Sequence, residues 1–381
     1  MLKNKNKFDL RNSKYLFGFS LVPEITPARF EKINKEFQTI QAAWQSSEIK
    51  LASIFGKKVA NKIYQKKSKI NLVEEIGILK EEQIKIISPK FSFEDFPGIN
   101  SKFFPEKLAQ IPHPPFILFA KGNLKLINKN QLGIVGSRRP TYYGKQILEK
   151  LGSEIARSGL IITSGMAMGI DTLAHRESLR NNQPTIAVLG NGLGEKILKK
   201  SSNYSLGKEI LEKNGLLVSE YPPLYPANKF TFPARNRIIS GLSLGVLVIE
   251  AAERSGTLIT ARHALEQNRE VLAVPGNIFS PQSVGTNKLI KQGAALINSV
   301  KDIFQTLNWK VTSENYSDHE NKPEFEDDLE RLIYQKLSFD PEPLDKLVIK
   351  CNLDISTISI KLSIMELKGT VKNIQGGYIR N

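Results

Sequence analysis

Seven short apolar runs recur between residues 132 and 299: "LGIVG", "LIITSG", "TIAVLG", "GLLVSEY", "GVLVIEA", "EVLAVPG" and "ALINS". They are nearly continuous in apolar residues rather than alternating, so each strand they form needs cover on both faces. Between them, "IDTLAHRESLRN", "FPARNRIISGL", "TLITARHALEQN" and "TNKLIKQG" carry helical spacing. Strand and helix in alternation predict an α/β fold, an extended Rossmann-like, doubly wound and mostly parallel sheet over residues 117–308. Such sheets bind ligands at the carboxyl ends of their strands.

A chain of 381 residues is long for one domain. Residues 1–95 predict a small basic helical module, in which "PARFEKINKEFQTIQAAW" places Phe30, Ile33 and Phe37 on one face. Residues 96–116 are proline-rich and predict a linker packed on the α/β domain. Residues 309–328 predict an acidic tether: between 310 and 330 eight acids stand against two lysines. Residues 329–381 hold three helical segments and a hairpin closing on Gly376 and Gly377, the outline of a winged helix.

The net charge of +16 suits a polyanionic partner, and its largest share lies in residues 1–70, where fifteen Lys or Arg face five acids. The winged helix is not equally basic, for "ISTISIKLSIMELKG" has only two lysines, so a protein contact is as well supported there as duplex DNA. A single cysteine, Cys351, excludes an internal disulfide framework and a Cys-cluster metal site, and the four histidines are scattered. No apolar stretch approaches a membrane span, the longest being "LGVLVIEAA". A cytoplasmic protein with neither metal nor cofactor is expected.

The predicted strand ends gather chemistry on one rim. The first run ends in Gly136, Ser137, Arg138 and Arg139, the second in Ser164 and Gly165, and the third runs on to Lys196, Lys199 and Lys200. "FPARNRIISG" opens a helix with Arg235, Asn236 and Arg237 behind Phe230 and Phe232. Helix N-termini and guanidinium forks suit phosphates, while aromatic faces suit bases, so the set points to single-stranded nucleic acid. The bland counterparts are an Arg138 paired with a carboxylate, a pair Arg235 and Arg237 anchoring the Pro233 turn, and lysines in a solvated loop.

Two polar clusters admit catalytic or structural readings, and structure is favoured for both. Glu250 and Glu253 precede "RSGT", where Thr257 can cap the next helix and Glu250 can hold Arg138 or Arg237 in place. Asp171 and His175 stand four apart, as a helix cap and its local partner. No Walker A spacing occurs, and "GIVGSRRPTYYG" does not give the dinucleotide glycine pattern.

The segments "IVGSRRPTYYG", "SGMAMGIDTLAH", "TIAVLGNGL", "SEYPP", "FPARNRIISGLS", "VIEAAERSGTLITARHALEQNREVLAVPG" and "GTNKLIKQGAALI" resemble, in order, the DprA/Smf family of DNA-processing proteins. The N-terminal helices resemble that family's sterile-alpha-motif-like or helix-hairpin-helix module, and the last residues its winged helix. The resemblance implies a nonenzymatic mediator of natural transformation. Such a protein binds single-stranded DNA, usually as a homodimer, and helps load the RecA recombinase onto strands coated by single-strand-binding protein. Carried over, the DNA site comprises Gly136, Ser137, Arg138, Ser164, Gly165, Phe230, Arg235, Asn236 and Arg237. The family's Asp and Tyr-Pro after "AVLGNGL" are replaced here by "GEKILKKSSNY", which leaves Lys199 and Lys200 both open as the loop cation. Leu289 and Ile290, adjacent on one helix, point about 100° apart, which makes one of them a candidate dimer contact. A competing resemblance is to Rossmann-fold nucleotide hydrolases of the lysine-decarboxylase-like, phosphoribohydrolase type, with Glu250 as the acid. A further alternative places most of the DNA affinity in the basic N-terminal module.

Overall fold

The computed structural model describes residues 10–89, 103–311, 325–338, 341–374 and 376–380. All seven predicted runs are strands of one sheet. In chain order the strands are β1 (Lys85–Ile87), β2 (Leu118–Gly122), β3 (Gln131–Val135), β4 (Ile161–Ser164), β5 (Ile186–Leu189), β6 (Leu216–Ser219), β7 (Gly245–Val248), β8 (Glu270–Ala273) and β9 (Ala295–Leu296). Their spatial order is β1-β2-β6-β5-β4-β3-β7-β8-β9. Strands β3 to β9 run parallel, and β2 joins β6 antiparallel, with β1 antiparallel outside it. Every residue of β3, β4, β5, β6 and β7 is buried, as continuous apolar runs require. Order reverses between β3 and β7, and this switch point is where a doubly wound sheet ordinarily opens its ligand crevice.

The antiparallel strands β1 and β2 are additions to the sequence-based reading. Phe104, Leu108, Ile111 and Phe116, from the stretch expected as a linker, are buried in apolar layers against the sheet. Residues 96–102 of that expected linker, and 312–324 of the acidic tether, lie outside the described residues.

The basic helical region packs onto the same sheet. Leu16, Phe17, Phe30 and Ile33 share one apolar cluster with Phe119 of β2, Leu217 of β6 and Leu198 of the short helix Glu195–Leu198 that follows β5. Phe30 stacks on Phe116 with ring centroids 4.2 Å apart. The lysines of this region stand outside an ordinary core.

The described residues from 325 onward form a second compact unit. The helices Asp328–Lys336, Leu344–Cys351 and Ile355–Leu367 enclose Ile333, Leu347, Ile358, Leu362 and Met365. Beside them lies a small antiparallel sheet of β10 (Glu342–Pro343), β11 (Val371–Ile374) and β12 (Gly377–Arg380), in the order β10-β12-β11. Lys361 pairs with Asp327, and Lys368 lies 2.8 Å from Glu330 and 3.0 Å from Glu326. Lys361 on the helix Ile355–Leu367 and Lys368 at its C-terminal cap are therefore neutralised locally, while Ile355, Ile360 and Leu367 are exposed on that helix. Among the described residues no helix is long and apolar enough to cross a membrane.

Candidate nucleic-acid interface

The turn after β3 is shaped by close approach. A Cβ on Gly136 would stand 2.6 Å from Ile170, so only glycine admits the helix Ile170–Arg180 here. The Ser137 carbonyl accepts from Ile170 N at 3.1 Å and its hydroxyl from Arg139 N at 3.1 Å. Ser137 is thereby buried, and Arg138 and Arg139 project from a braced turn.

The next helix, Tyr142–Arg157, already holds an anion. Thr141 caps it by accepting from Gly144 N at 3.2 Å, and the Glu250 carboxylate accepts from Thr141 N at 2.9 Å and from its hydroxyl. Glu250 is 2% exposed. A carboxylate there satisfies the helix dipole that a phosphate would otherwise meet. This corrects two sequence-based expectations. Glu250 holds Thr141, not Arg138 or Arg237, and the helix N-terminus at the switch point is filled from within. Thr257 likewise does not cap its own helix; its hydroxyl donates to the Gly136 carbonyl at 3.0 Å, closing the β3–β7 crevice further.

The turn after β4 is held from both sides by buried charges. Asp171 accepts from Gly165 N at 3.2 Å and Ala167 N at 3.4 Å, while Arg235 donates to the Gly165 carbonyl at 2.7 Å and also to the Val188 carbonyl of β5. Ser164 is fully buried and donates to Ile134 O at 2.6 Å. Burial pushes the Asp171 carboxyl up, against the opposing pull of Arg235, and pushes the Arg235 guanidinium down to about 10. Arg235 is 4% exposed, so it braces two strand ends from below. Arg237 is also withdrawn: its Nη2 lies 2.5 Å from each oxygen of Glu220, and both partners are largely buried. Asn236 is half-buried and accepts from Arg235 Nε at 3.2 Å.

His175 does not partner Asp171. The Thr185 hydroxyl donates to Ile162 O at 2.6 Å, and so accepts at 2.8 Å from His175 Nδ1, which must carry the proton. The ring is fully buried, and its pKa is lowered from 6.5 to about 3 by burial and then by the charge of Arg235. The fold holds the neutral ring, whereas the unfolded chain takes up a proton below 6.5. Stability contributed here is thus lost as pH falls from 6.5 towards 3. Between pH 7 and pH 5 this group should remove about 2 kcal/mol. Urea unfolding of His175→Gln should show that part of the acid limb flattened relative to the wild type; an identical limb would contradict the assignment. Asp171 and Glu220, whose carboxyls burial pushes up, act in the opposite sense at lower pH and are common to both proteins.

Above these braces lies a cleft of about 400 Å³ at the ends of β3, β4 and β5. Arg138, Gly165, Met168, Asn191, Lys200 and Phe232 line it. The Arg138 guanidinium sits 5.8 Å from the centroid of the Phe232 ring. Of the two open lysines, Lys200 lines the cleft, while Lys199 lies 3.7 Å from Glu195. Phe230 stands clear of it, 73% exposed, with Lys229 Nζ 5.1 Å from its ring. The structure therefore brings together Arg138, Gly165 and Lys200 with Phe232, and it withdraws Ser164, Arg235 and Arg237 from solvent. Sequence reasoning misses Met166 and Met168, although "SGMAMG" spaces them on the turn that borders the cleft. Leu289 joins the apolar layer beneath the sheet, and Ile290, half-buried, packs on the same layer.

A doubly wound sheet whose switch point is plugged by Glu250, with a cationic and aromatic cleft beside it, defines a Rossmann-like protein. The model of the family DNA recombination-mediator protein A matches residues 96–308, and that of the DprA winged helix domain residues 318–377. The chain belongs to the DNA recombination-mediator protein A family. It is 48% identical to the DNA processing protein DprA of Bacillus subtilis over 210 residues, covering 55% of this chain and 70% of that one. It is 33% identical to the protein Smf of Synechocystis over 398 residues, covering 95% and 97%. The solved structure of DNA processing protein A from Streptococcus pneumoniae matches with a TM-score of 0.64 at 33% identity, over 77% of this chain and 97% of that one.

Proposed function

We propose that the protein binds single-stranded DNA in the Arg138 cleft and serves, without catalysis of its own, as a recombination mediator that protects incoming strands and helps load RecA during natural transformation. One observation carries the reading: an exposed arginine lies over an aromatic ring at the mouth of a cleft that a second cation also lines. A guanidinium takes a phosphate, and the Phe232 and methionine surfaces take a base. The proposed contacts are Arg138, Lys200, Asn191 and Phe232, with Phe230 and Lys229 extending the track. Gly136, Ser137, Ser164, Gly165, Arg235 and Asn236 shape the cleft, and Arg237 steadies the helix behind it. Support for the partner comes from the family description and from relatives named for DNA processing.

The hydrolase alternative needs a free Glu250, and both of its carboxylate oxygens are taken by Thr141. Action in the cytoplasm, homodimerisation through the exposed remainder of Ile290, and contact with single-strand-binding protein belong to the same proposal. Band-shift titration of single and double strands across a salt series tests it. With about three phosphates neutralised, single-strand affinity should fall with a log–log slope of about −2, roughly 15-fold between 50 and 200 mM salt. Equal affinity for duplexes of the same length, or a flat salt response, would refute it.

A further inference from the structure

The loop that carries Lys200 is pinned from three sides. Gly194 N donates to Pro223 O at 2.9 Å, and the Asn203 amide donates to Met166 O at 2.8 Å and to the Thr172 hydroxyl at 3.0 Å. The third pin comes from a distant part of the chain. Glu82, which ends the helix Leu72–Glu81 of the basic helical region, accepts the backbone N–H of Glu195 through both carboxylate oxygens, at 2.9 and 2.7 Å. Lys121 Nζ lies 3.4 Å from the same carboxylate and balances its charge. Glu195 begins the short helix Glu195–Leu198, its side chain is bound by the Tyr204 hydroxyl, and its other neighbour is Lys199. The turn leading to Lys200 comes directly after, with Lys200 N donating to Ile197 O at 3.1 Å.

We infer that Glu82 is a positioning residue for the cleft. By holding Glu195, it fixes the loop in the register that points Lys199 back to Glu195 and leaves Lys200 on the cleft wall. This deepens the proposed single-strand site and rests on that reading. It gives the N-terminal helical region a task other than adding positive charge: it sets where one cation of the site stands. A loop that has lost the usual family pattern gains its register from an acid 113 residues upstream.

The test uses the full chain and a fluorescent 12-nucleotide thymidine oligomer, with affinity measured from 50 to 200 mM salt. Lys200→Ala should make the log–log slope shallower by about 0.7, the value for one phosphate on a single strand. Glu82→Ala should weaken binding roughly three- to tenfold at low salt and make the slope shallower by the same amount, and the double variant should add nothing further. Glu82→Gln retains an acceptor oxygen, so it should keep most of the affinity and the wild-type slope; it also serves if Glu82→Ala folds poorly. A Glu82→Ala protein with unchanged affinity, or one with weaker binding at the wild-type slope, overturns the inference. A wild-type slope in Lys200→Ala overturns it too, while loss of binding in Arg138→Ala would leave the site reading intact. Absence of wild-type binding to the oligomer refutes the site reading and the inference together.

Discussion

Replacing Arg138 by alanine should weaken single-strand binding roughly 30- to 150-fold while leaving the melting temperature where it was. Arg138 is exposed, its backbone is fixed by Ser137 and Gly169 whatever the side chain, and among the described residues no carboxylate is paired with it. The variant thus removes a guanidinium without disturbing packing. A charge-assisted hydrogen bond to phosphate is worth about 1.5–3 kcal/mol, and the arrangement over Phe232 adds several tenths more, so a loss of about 2–3 kcal/mol is expected. Arg138→Lys should recover only part of it, because an ammonium lacks the planar fork and stacks poorly. Fluorescence anisotropy with a short oligonucleotide, alongside a thermal scan, decides the matter. Unchanged affinity in Arg138→Ala would remove the cleft from the DNA path.

Arg235→Ala should also weaken binding severely, but by a different route, and the thermal scan separates the two. Arg235 donates to the carbonyls of Gly165 and Val188 from a position nearly closed to water. Alanine would take a donor from each of two buried acceptors and remove from Asp171 the stronger of the two cations, Arg235 and Arg138, that oppose its burial. The expected loss is about 4 kcal/mol, a large share of the roughly 5–15 kcal/mol by which a folded protein is ordinarily stable. A fall in melting temperature of roughly 8–16 °C should accompany it. A protein that melts like the wild type but no longer binds DNA would show that Arg235 reaches the ligand, and the brace assigned to it would be wrong.

The contrast between these arginines marks how far sequence alone reaches. The parallel sheet is legible because burial on both faces leaves uninterrupted apolar runs, and all seven are visible. β1 and β2 are not, since Lys85 and Lys121 break their apolar pattern and proline-rich chain lies between them. Arg138 is legible from its glycine turn. Arg235 and Arg237 read as surface cations because an arginine near a helix start usually is one. A signal is nevertheless present: Arg235 stands three, four and seven residues before Ile238, Ile239 and Leu242, on the stripe that the helix buries. Its partners, a carbonyl turn and a strand end, come from distant sequence, and no local pattern predicts them. Glu250 misleads for the same reason, its contact with Thr141 spanning 109 residues.

The plug at the switch point also bears on life in a crowded cell. Nucleotides and dinucleotide cofactors are abundant there, and a doubly wound sheet with an open crevice offers them a site. With Glu250 set against the first turn of the helix after β3, the chain's own carboxylate occupies the berth that a small phosphate would take. On the proposed reading, selectivity for a long strand over the soluble pool begins before any contact with DNA is made, at a berth that the chain fills with its own side chain.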